Sequence, residues 1–476
     1  MTAAASRLVC AGCGAEPAPL APYPFACPAA RPGDDIDHVL RRELDLSAVR
    51  FPHGEPEPNP FLHFRAFLRA YHVAIAGGLT DGEFCSIVHR LDERVARVDG
   101  HGFTITPFAR SQELSEQLGF SPRGGVWVKD ETGNVSGSHK ARHLFGVLLY
   151  LEVAERLGLT DPSRRPELAI ASCGNAALAA AVVAAAGERT LQVFVPVDAE
   201  PAVIARLGEL GALVTVCPRE PGEAGEAGDP TVRRLLQAIA GGALPFTCQG
   251  NLNGLAVEGG ETLGYEIAAE LAATGTTVDH LVVQVGGGAL ASACAEALRE
   301  AAALGAIPAP PRLQTVQTEG AGPLRRAYDA VAAICASRAP ADIRSAVAYA
   351  AHHRSEFMWP WESEPHSIAH GILDDETYDW LAVVEEMLAT DGEPLVVDEL
   401  ALAEANALAL EATGIRVDPT GSSGLAGLLA LRDSGRVADD ERVAVLFTGV
   451  IRQQPPDGRN RDEELCRARH PVAQGL

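Results

Sequence analysis

The feature that most restricts the fold of this chain is a unit met more than once along it: a short apolar run, a tight turn of small residues, then a helix-like stretch. Leu168-Ala169-Ile170-Ala171 leads through Ser172-Cys173-Gly174-Asn175 into an alanine-rich run at 176–186. Leu281-Val282-Val283-Gln284-Val285 leads through Gly286-Gly287-Gly288-Ala289-Leu290 into a second helical pattern. A late run, Val443-Ala444-Val445-Leu446-Phe447, ends at Thr448-Gly449. Strands that lack polar alternation are buried on both faces, and strands alternating with helices build parallel sheets. At 476 residues the chain is long enough for two α/β domains and an appendage.

One turn delivers a lysine. Gly133-Asn134-Val135-Ser136-Gly137-Ser138-His139-Lys140-Ala141-Arg142 precedes Leu144, Leu148, Leu151 and Ala154, which recur at three- and four-residue spacing. The spacing predicts a helix with Ser136 or Ser138 near its N-cap and Lys140 in its first turn. There the positive end of the helix, helped by burial, disfavours an ammonium and favours the neutral amine that a Schiff base needs. A solvated lysine in an ordinary helix start has the same local pattern. The turns at 172–175 and 286–288 offer backbone N–H groups to anions, a carboxylate and a phosphate respectively, although a triple glycine also serves as a plain tight turn.

Taken in this order, the elements resemble the pyridoxal-phosphate enzymes of the tryptophan synthase β family, called fold type II, over roughly residues 103–452. GSHKAR at 137–142 resembles the lysine motif of threonine synthases and dehydratases, and the His139-Lys140 pair is similar to that of tryptophan synthase β. SCGNAALA at 172–179 resembles the asparagine loop, and GGGAL at 286–290 the phosphate loop, with Ala289 where a fourth glycine is common. SIAHGI at 367–372 and DPTGSSGLAG at 418–427 resemble dehydratase segments. FTG at 447–449 lies where the family sets a hydroxyl or thiol against the pyridine nitrogen.

The resemblance implies two three-layer open α/β domains with pyridoxal 5'-phosphate between them. Lys140 would tether the cofactor and act as the base. Asn175 would meet the ring hydroxyl oxygen, and Ser172, Cys173, Gly174 and Asn175 would face the substrate carboxylate. Gly286, Gly287, Gly288, Ala289 and Leu290 would take the phosphate, and Thr448 the pyridine nitrogen. A neutral hydroxyl there makes the cofactor a weaker electron sink than a carboxylate would, which favours expelling a leaving group over transamination. The expected reaction is β-elimination, of the deaminating lyase or dehydratase type, on serine, threonine or an O-activated derivative. The alternative is β- or γ-replacement of the threonine synthase type, in a specialised pathway. SIAHGI and the SCGNAA loop speak for elimination; the cysteine-rich N terminus and NGLAVEGGET at 253–262 speak for replacement. A nicotinamide oxidoreductase would explain the glycines alone, yet the loop lacks the spaced G-x-G-x-x-G fingerprint.

Organisation along the chain is read as a cysteine-rich N-terminal appendage at 1–42, a large cofactor-binding domain from 43–131 joined to 249–454, a small domain at 132–248, and a mobile tail at 455–476. The loop at 219–230 reads as exposed, and the segment 321–358 departs from the family in length. Phe61, Phe64, Phe67, Leu68 and Tyr71 form an apolar stripe read as core or subunit interface. Cys10-x2-Cys13-Gly14 is half of a zinc knuckle, and Cys27 follows in a way that resembles the zinc-ribbon start of some threonine synthases, with Ala30 where their fourth cysteine would be and His38 able to supply the fourth ligand of a Cys3His site. A ribbon that has lost its ion is the competing reading. The remaining cysteines are scattered, as in a protein with reduced thiols. A net charge of −24 argues against nucleic acid or an acidic membrane surface as partner. With no apolar signal segment near Met1, a cytoplasmic setting is expected, and the resemblance implies a homodimer acting on a small amino acid.

Overall fold

The computed structural model describes residues 5–54, 57–219, 229–337, 342–361 and 365–452. The tail at 455–476 and most of the loop at 219–230 lie outside the described residues. In chain order the strands are β1 (Ser6–Cys10), β2 (Leu40–Leu44), β3 (Phe108–Ser111), β4 (Gly125–Asp130), β5 (Leu168–Ala171), β6 (Leu191–Val195), β7 (Leu213–Val216), β8 (Leu244–Pro245), β9 (His280–Gln284), β10 (Arg312–Thr318), β11 (Pro394–Val397) and β12 (Arg442–Phe447). They form a six-stranded sheet in the order β11-β10-β9-β12-β4-β3, a four-stranded sheet in the order β7-β6-β5-β8, and the ribbon β1-β2. All pairs in the two larger sheets are parallel except the edge pair β3-β4.

Both larger sheets are sandwiched between helices. In the small one, Leu168, Ile170, Val193 and Val195 face the core under helix Asn175–Ala186. The alternate residues Ala169 and Phe194 meet Leu235 of helix Pro230–Ala240 on the other face, as strand periodicity requires. Helix Asn175–Ala186 is apolar all round because it is covered all round. In the large sheet, Leu281 and Val283 of β9 pack with residues of helices Ala256–Thr274 and Ala289–Ala303. Val282 packs with Leu425 and Leu428 of helix Pro419–Asp433.

The strand orders decide where a site can form. In the large sheet the chain runs outward from β9 through β10 to β11, whereas β12 lies on the opposite side of β9. In the small sheet β6 and β7 lie on one side of β5 and β8 on the other. Each sheet therefore has a switch point at which loops leave the strand ends in opposite directions, and the crevice opened there is where such sheets bind ligands.

Phe61, Phe64, Phe67 and Leu68 are buried core residues and Tyr71 is half-buried. Residues 321–358 contain helices Pro323–Ala336 and Ile343–His352, against which the N-terminal ribbon is pinned by hydrogen bonds from Asp37 N to Ala351 O (2.8 Å) and from Arg354 N to Asp35 O (3.0 Å). No helix among the described residues is long and apolar enough to cross a membrane.

The lysine helix spans Lys140–Arg156, with Leu144, Leu148, Leu151 and Ala154 buried as the spacing predicts. Ser138 stands next to the N-cap, in keeping with the spacing, but does not itself cap the helix. His139 occupies the N-cap without a side-chain capping bond, and neither serine caps the helix. Ser138 is extended and bridges to Gly449, while Ser136 sits at φ +57° with its carbonyl accepting from Arg452 (2.8 Å). Both serines are committed to holding the turn against the end of β12, so cap geometry is not available to them.

Candidate active site

A cleft of about 200 Å³ opens between the two sheets, at both switch points. Lys140, Ser172, Cys173, Gly174, Asn175, Gly286, Gly287, Gly288, Ala289, Leu290 and Thr448 all line it. Residues from four separate parts of the chain, singled out in the sequence, are thus brought to one place. Cys10, Cys13, Cys27 and His38 are brought together elsewhere, in the ribbon, with their ligand atoms within 4.8 Å of one another.

Lys140 has no rival. The chain contains two lysines. The other, Lys129, is fully buried on β4 and donates to Glu266 Oε2 (2.5 Å) and Thr106 O (2.8 Å). That residue belongs to a buried network in which Arg142 grips Glu131 through two bonds (2.8 and 2.9 Å) and donates to Glu266 Oε1 (2.6 Å). Burial pushes the Glu266 carboxyl up, but Arg142 and Lys129 more than offset it and hold it below the usual range. Two cations and two carboxylates balance in this network, and Arg142 anchors the first turn of the helix that starts at Lys140. The turn itself is tied to the end of β12 by Val450 N to Gly137 O (2.9 Å).

Two imidazoles flank the lysine. His139 lines the cleft with its Nδ1 at 3.3 Å from Thr448 O, and His143 places Nδ1 at 2.6 Å from Ala256 O. Burial, then the charge of Lys140, lowers both, His143 to about 3 and His139 well below its ordinary value, so both rings are neutral. Each carbonyl then receives a proton on Nδ1, which leaves Nε2 an unprotonated acceptor.

Asn175 begins the helix after β5 and its amide orientation is fixed. Oδ1 accepts from Arg452 Nη2 (2.8 Å) and Nδ2 donates to Asp418 Oδ2 (3.3 Å), so a second N–H remains for the cleft. Gly449 makes this meeting possible: a Cβ there would fall 2.6 Å from both Asn175 Nδ2 and Asp418 Oδ2. The glycine loop leaves β9 and starts helix Ala289–Ala303 from Gly288, whose φ of +98° disfavours any side chain. At Gly286 a Cβ would lie 2.2 Å from Asp374 Oδ2, so the backbone is drawn tight against that carboxylate.

Asp374 and Gln284 of the cleft were not singled out in the sequence, unlike the segments that supply the other residues named here. Asp374 is buried, which raises its carboxyl to about 6, against the opposing charge of Lys140. His370, Gly371 and Ile372 of SIAHGI, Thr420 of the acidic-proline turn and Gln249 also line the walls. Gln284 is the least expected: it is a polar residue closing an apolar central strand, and that break in pattern is the signal that marks it.

Comparison with known proteins agrees with this geometry. The family described as pyridoxal-phosphate dependent enzyme matches residues 101–449. The threonine synthase of Methanocaldococcus jannaschii is 24% identical over 359 residues, covering 75% of this chain and 77% of that protein. The threonine synthase of Mycobacterium tuberculosis is 25% identical over 346 residues, covering 72% and 80%. Among solved structures, Escherichia coli diaminopropionate ammonia lyase superposes with a TM-score of 0.56 at 17% identity, covering 82% of this chain and 94% of that one. A T.th. threonine deaminase superposes with a TM-score of 0.54 at 23% identity, covering 78% and 99%. With the match running through both sheets and every cleft-forming turn, this chain belongs to the family of pyridoxal-phosphate dependent enzymes.

Proposed function

We propose that this protein is a lyase that eliminates a β leaving group from a small amino acid such as serine, threonine or an O-activated derivative, with release of ammonia. The observation that carries the reading is the convergence of Lys140, the only lysine of the chain not locked in a buried ion pair, with the Ser172-Cys173-Gly174-Asn175 turn, the glycine loop and the Thr448 hydroxyl on one cleft. These groups fit pyridoxal phosphate: an amine, a close-packed run of glycines opening a helix, and a hydroxyl at the end of β12. When bound, the cofactor supplies the electron sink for chemistry at the α carbon. Lys140 would tether it and, as a free amine, would serve as the base for the α proton. Asn175 offers its free N–H to the ring hydroxyl oxygen. Ser172 and the N–H groups of the Cys173-Gly174 turn hold the substrate carboxylate, and Gly286, Gly287, Gly288, Ala289 and Leu290 surround the phosphate. The neutral Thr448 hydroxyl limits the sink and so favours departure of the leaving group.

A second reading, replacement of the threonine synthase type, is favoured by Gln249, which lines the cleft with Oε1 buried and without a partner, an acceptor suited to a polar substrate group. It also has the support of the threonine synthases among the relatives. Incubating holoenzyme with serine, threonine, their O-acyl and O-phospho forms and phosphohomoserine, then identifying products by mass spectrometry, separates the two. Keto acid and ammonia mean elimination; a new amino acid, formed from phosphohomoserine with water or only with an added nucleophile, means replacement.

The ribbon is proposed to hold a zinc ion. Cys10 Sγ lies 3.4 Å from His38 Nδ1 and Cys13 Sγ 3.5 Å from Cys27 Sγ, while Asp34 Oδ2 sits 3.0 Å from His38 Nε2, the arrangement that orients a metal-binding imidazole. A cytoplasmic setting has the support of the free thiols at Cys85, Cys173, Cys217, Cys248, Cys294 and Cys335. A homodimer follows from the resemblance, and light scattering on the eluted protein reads its mass.

A further inference from the structure

Gln284 ends β9 between the two loops that build the cofactor cleft, and its side chain is held entirely by its nitrogen. Three acceptors surround the two hydrogens of Nε2: the two nearest, Thr448 Oγ1 (2.6 Å) and Gly421 O (2.8 Å), take one each, and the more distant Leu446 O (3.2 Å) shares one of them. Main-chain carbonyls only accept. Turning the amide would set its oxygen against two of them, so the orientation follows from the surroundings. The cost of this arrangement is visible: Oε1 is buried without a partner, and Gly424 leaves room for it, since a Cβ there would come within 3.0 Å. A buried acceptor left unpaired has lost its water and gained nothing in exchange. The chain bears that cost with a residue whose nitrogen meets Thr448 at the shortest of the three distances.

The consequence falls on a single proton. A threonine hydroxyl has one hydrogen and two lone pairs. With one lone pair occupied by Gln284, the hydrogen is free to point into the cleft that Thr448 lines. We propose that Gln284 is a positioning residue that fixes Thr448 as a hydrogen-bond donor, and so holds the cofactor's pyridine nitrogen in its unprotonated, accepting form. This rests on the reading that Thr448 meets that nitrogen. It explains why a hydroxyl, which can serve either as donor or acceptor, acts in one sense here.

The test loads the holoenzyme with cofactor labelled with ¹⁵N at the ring and reads the nitrogen resonance in the parent, Thr448→Val, Gln284→Glu and Gln284→Met. The parent is expected at a hydrogen-bonded, unprotonated pyridine position; a parent resonance at the pyridinium position overturns the proposal without any variant. Gln284→Glu places a carboxyl that claims the Thr448 hydrogen, turning the lone pair toward the ring, so the resonance is expected to move toward pyridinium. Gln284→Met frees the two carbonyls to take that hydrogen, so its resonance is expected to move toward that of Thr448→Val, and it carries the test if the glutamate variant does not fold. If Thr448→Val shifts the resonance while both Gln284 variants keep the parent value, the role of Gln284 is rejected and the placement of Thr448 stands. If Thr448→Val leaves it unmoved, the placement of Thr448 has failed, and the proposal falls with it.

Discussion

If Lys140 is both tether and base, Lys140→Ala removes the two in one step, and loss of the base alone is expected to lower turnover by about 10²–10⁴-fold. Borohydride reduction of the parent holoenzyme followed by peptide mapping is expected to mark Lys140; label on Lys129 would reject the assignment. Asp374 supplies a pH signature. Burial raises its carboxyl to about 6, above the ordinary carboxylate value, so the folded state holds a proton that the unfolded chain has released. Its contribution is therefore most favourable below the unfolded value and is lost as pH rises through about 6. Asp374→Asn is expected to stabilise the cofactor-free protein at pH 8 relative to pH 5, by on the order of 1–3 kcal/mol, read from urea unfolding at the two pH values. An equal effect at both would show that the carboxyl is not desolvated. Lys140, Asn175 and Thr448 were legible from sequence because each stands at the end of a strand or the start of a helix in a recognisable turn. Asp374 was not, because its place at the glycine loop is set by folding of residues almost ninety positions away.

Among the elements, the turn that presents Lys140 depends on Arg142 more than on any cap. Arg142→Met leaves Glu131 and Glu266 facing each other with only Lys129 to balance them, and removing one member of such a buried network costs about 3–5 kcal/mol. Urea unfolding should register a loss of that size, and Glu131→Gln in the same chain should recover part of it. The helix itself was predictable from the three- and four-residue recurrence of Leu144, Leu148, Leu151 and Ala154. Its cap was not, because the pull of β12 on Ser136 and Ser138 is a contact between residues some 310 positions apart. The strand–turn–helix units after β5 and β9 were legible for a similar local reason: apolar runs bounded by glycine mark buried parallel strands whatever their partners. The order of those strands, which creates both switch points, is written only in long-range pairing.

At the scale of the whole molecule, the N-terminal ribbon is bound to the catalytic body at several points, among them Arg69 Nη1 to Ser6 O (2.9 Å), Tyr150 Oη to Ala21 O (2.7 Å) and Gly254 N to Phe25 O (2.8 Å). If Cys10, Cys13, Cys27 and His38 hold metal, elemental analysis should find about one zinc per chain, and Cys13→Ser should abolish it while the visible absorption of the bound cofactor stays unchanged. A metal-free preparation of the folded parent would instead make this ribbon a packing element. The cleft has a different consequence. Its walls come from two separate sheets, with Asn175 on one side and the glycine loop and Thr448 on the other. A ligand gripped by both acts as a mechanical rivet: it stabilises only conformations in which the two bodies are folded and apposed together. Calorimetry of the cofactor-free protein should then show two overlapping heat-absorption peaks, one for each body, and the loaded protein should melt in a single sharper event at higher temperature.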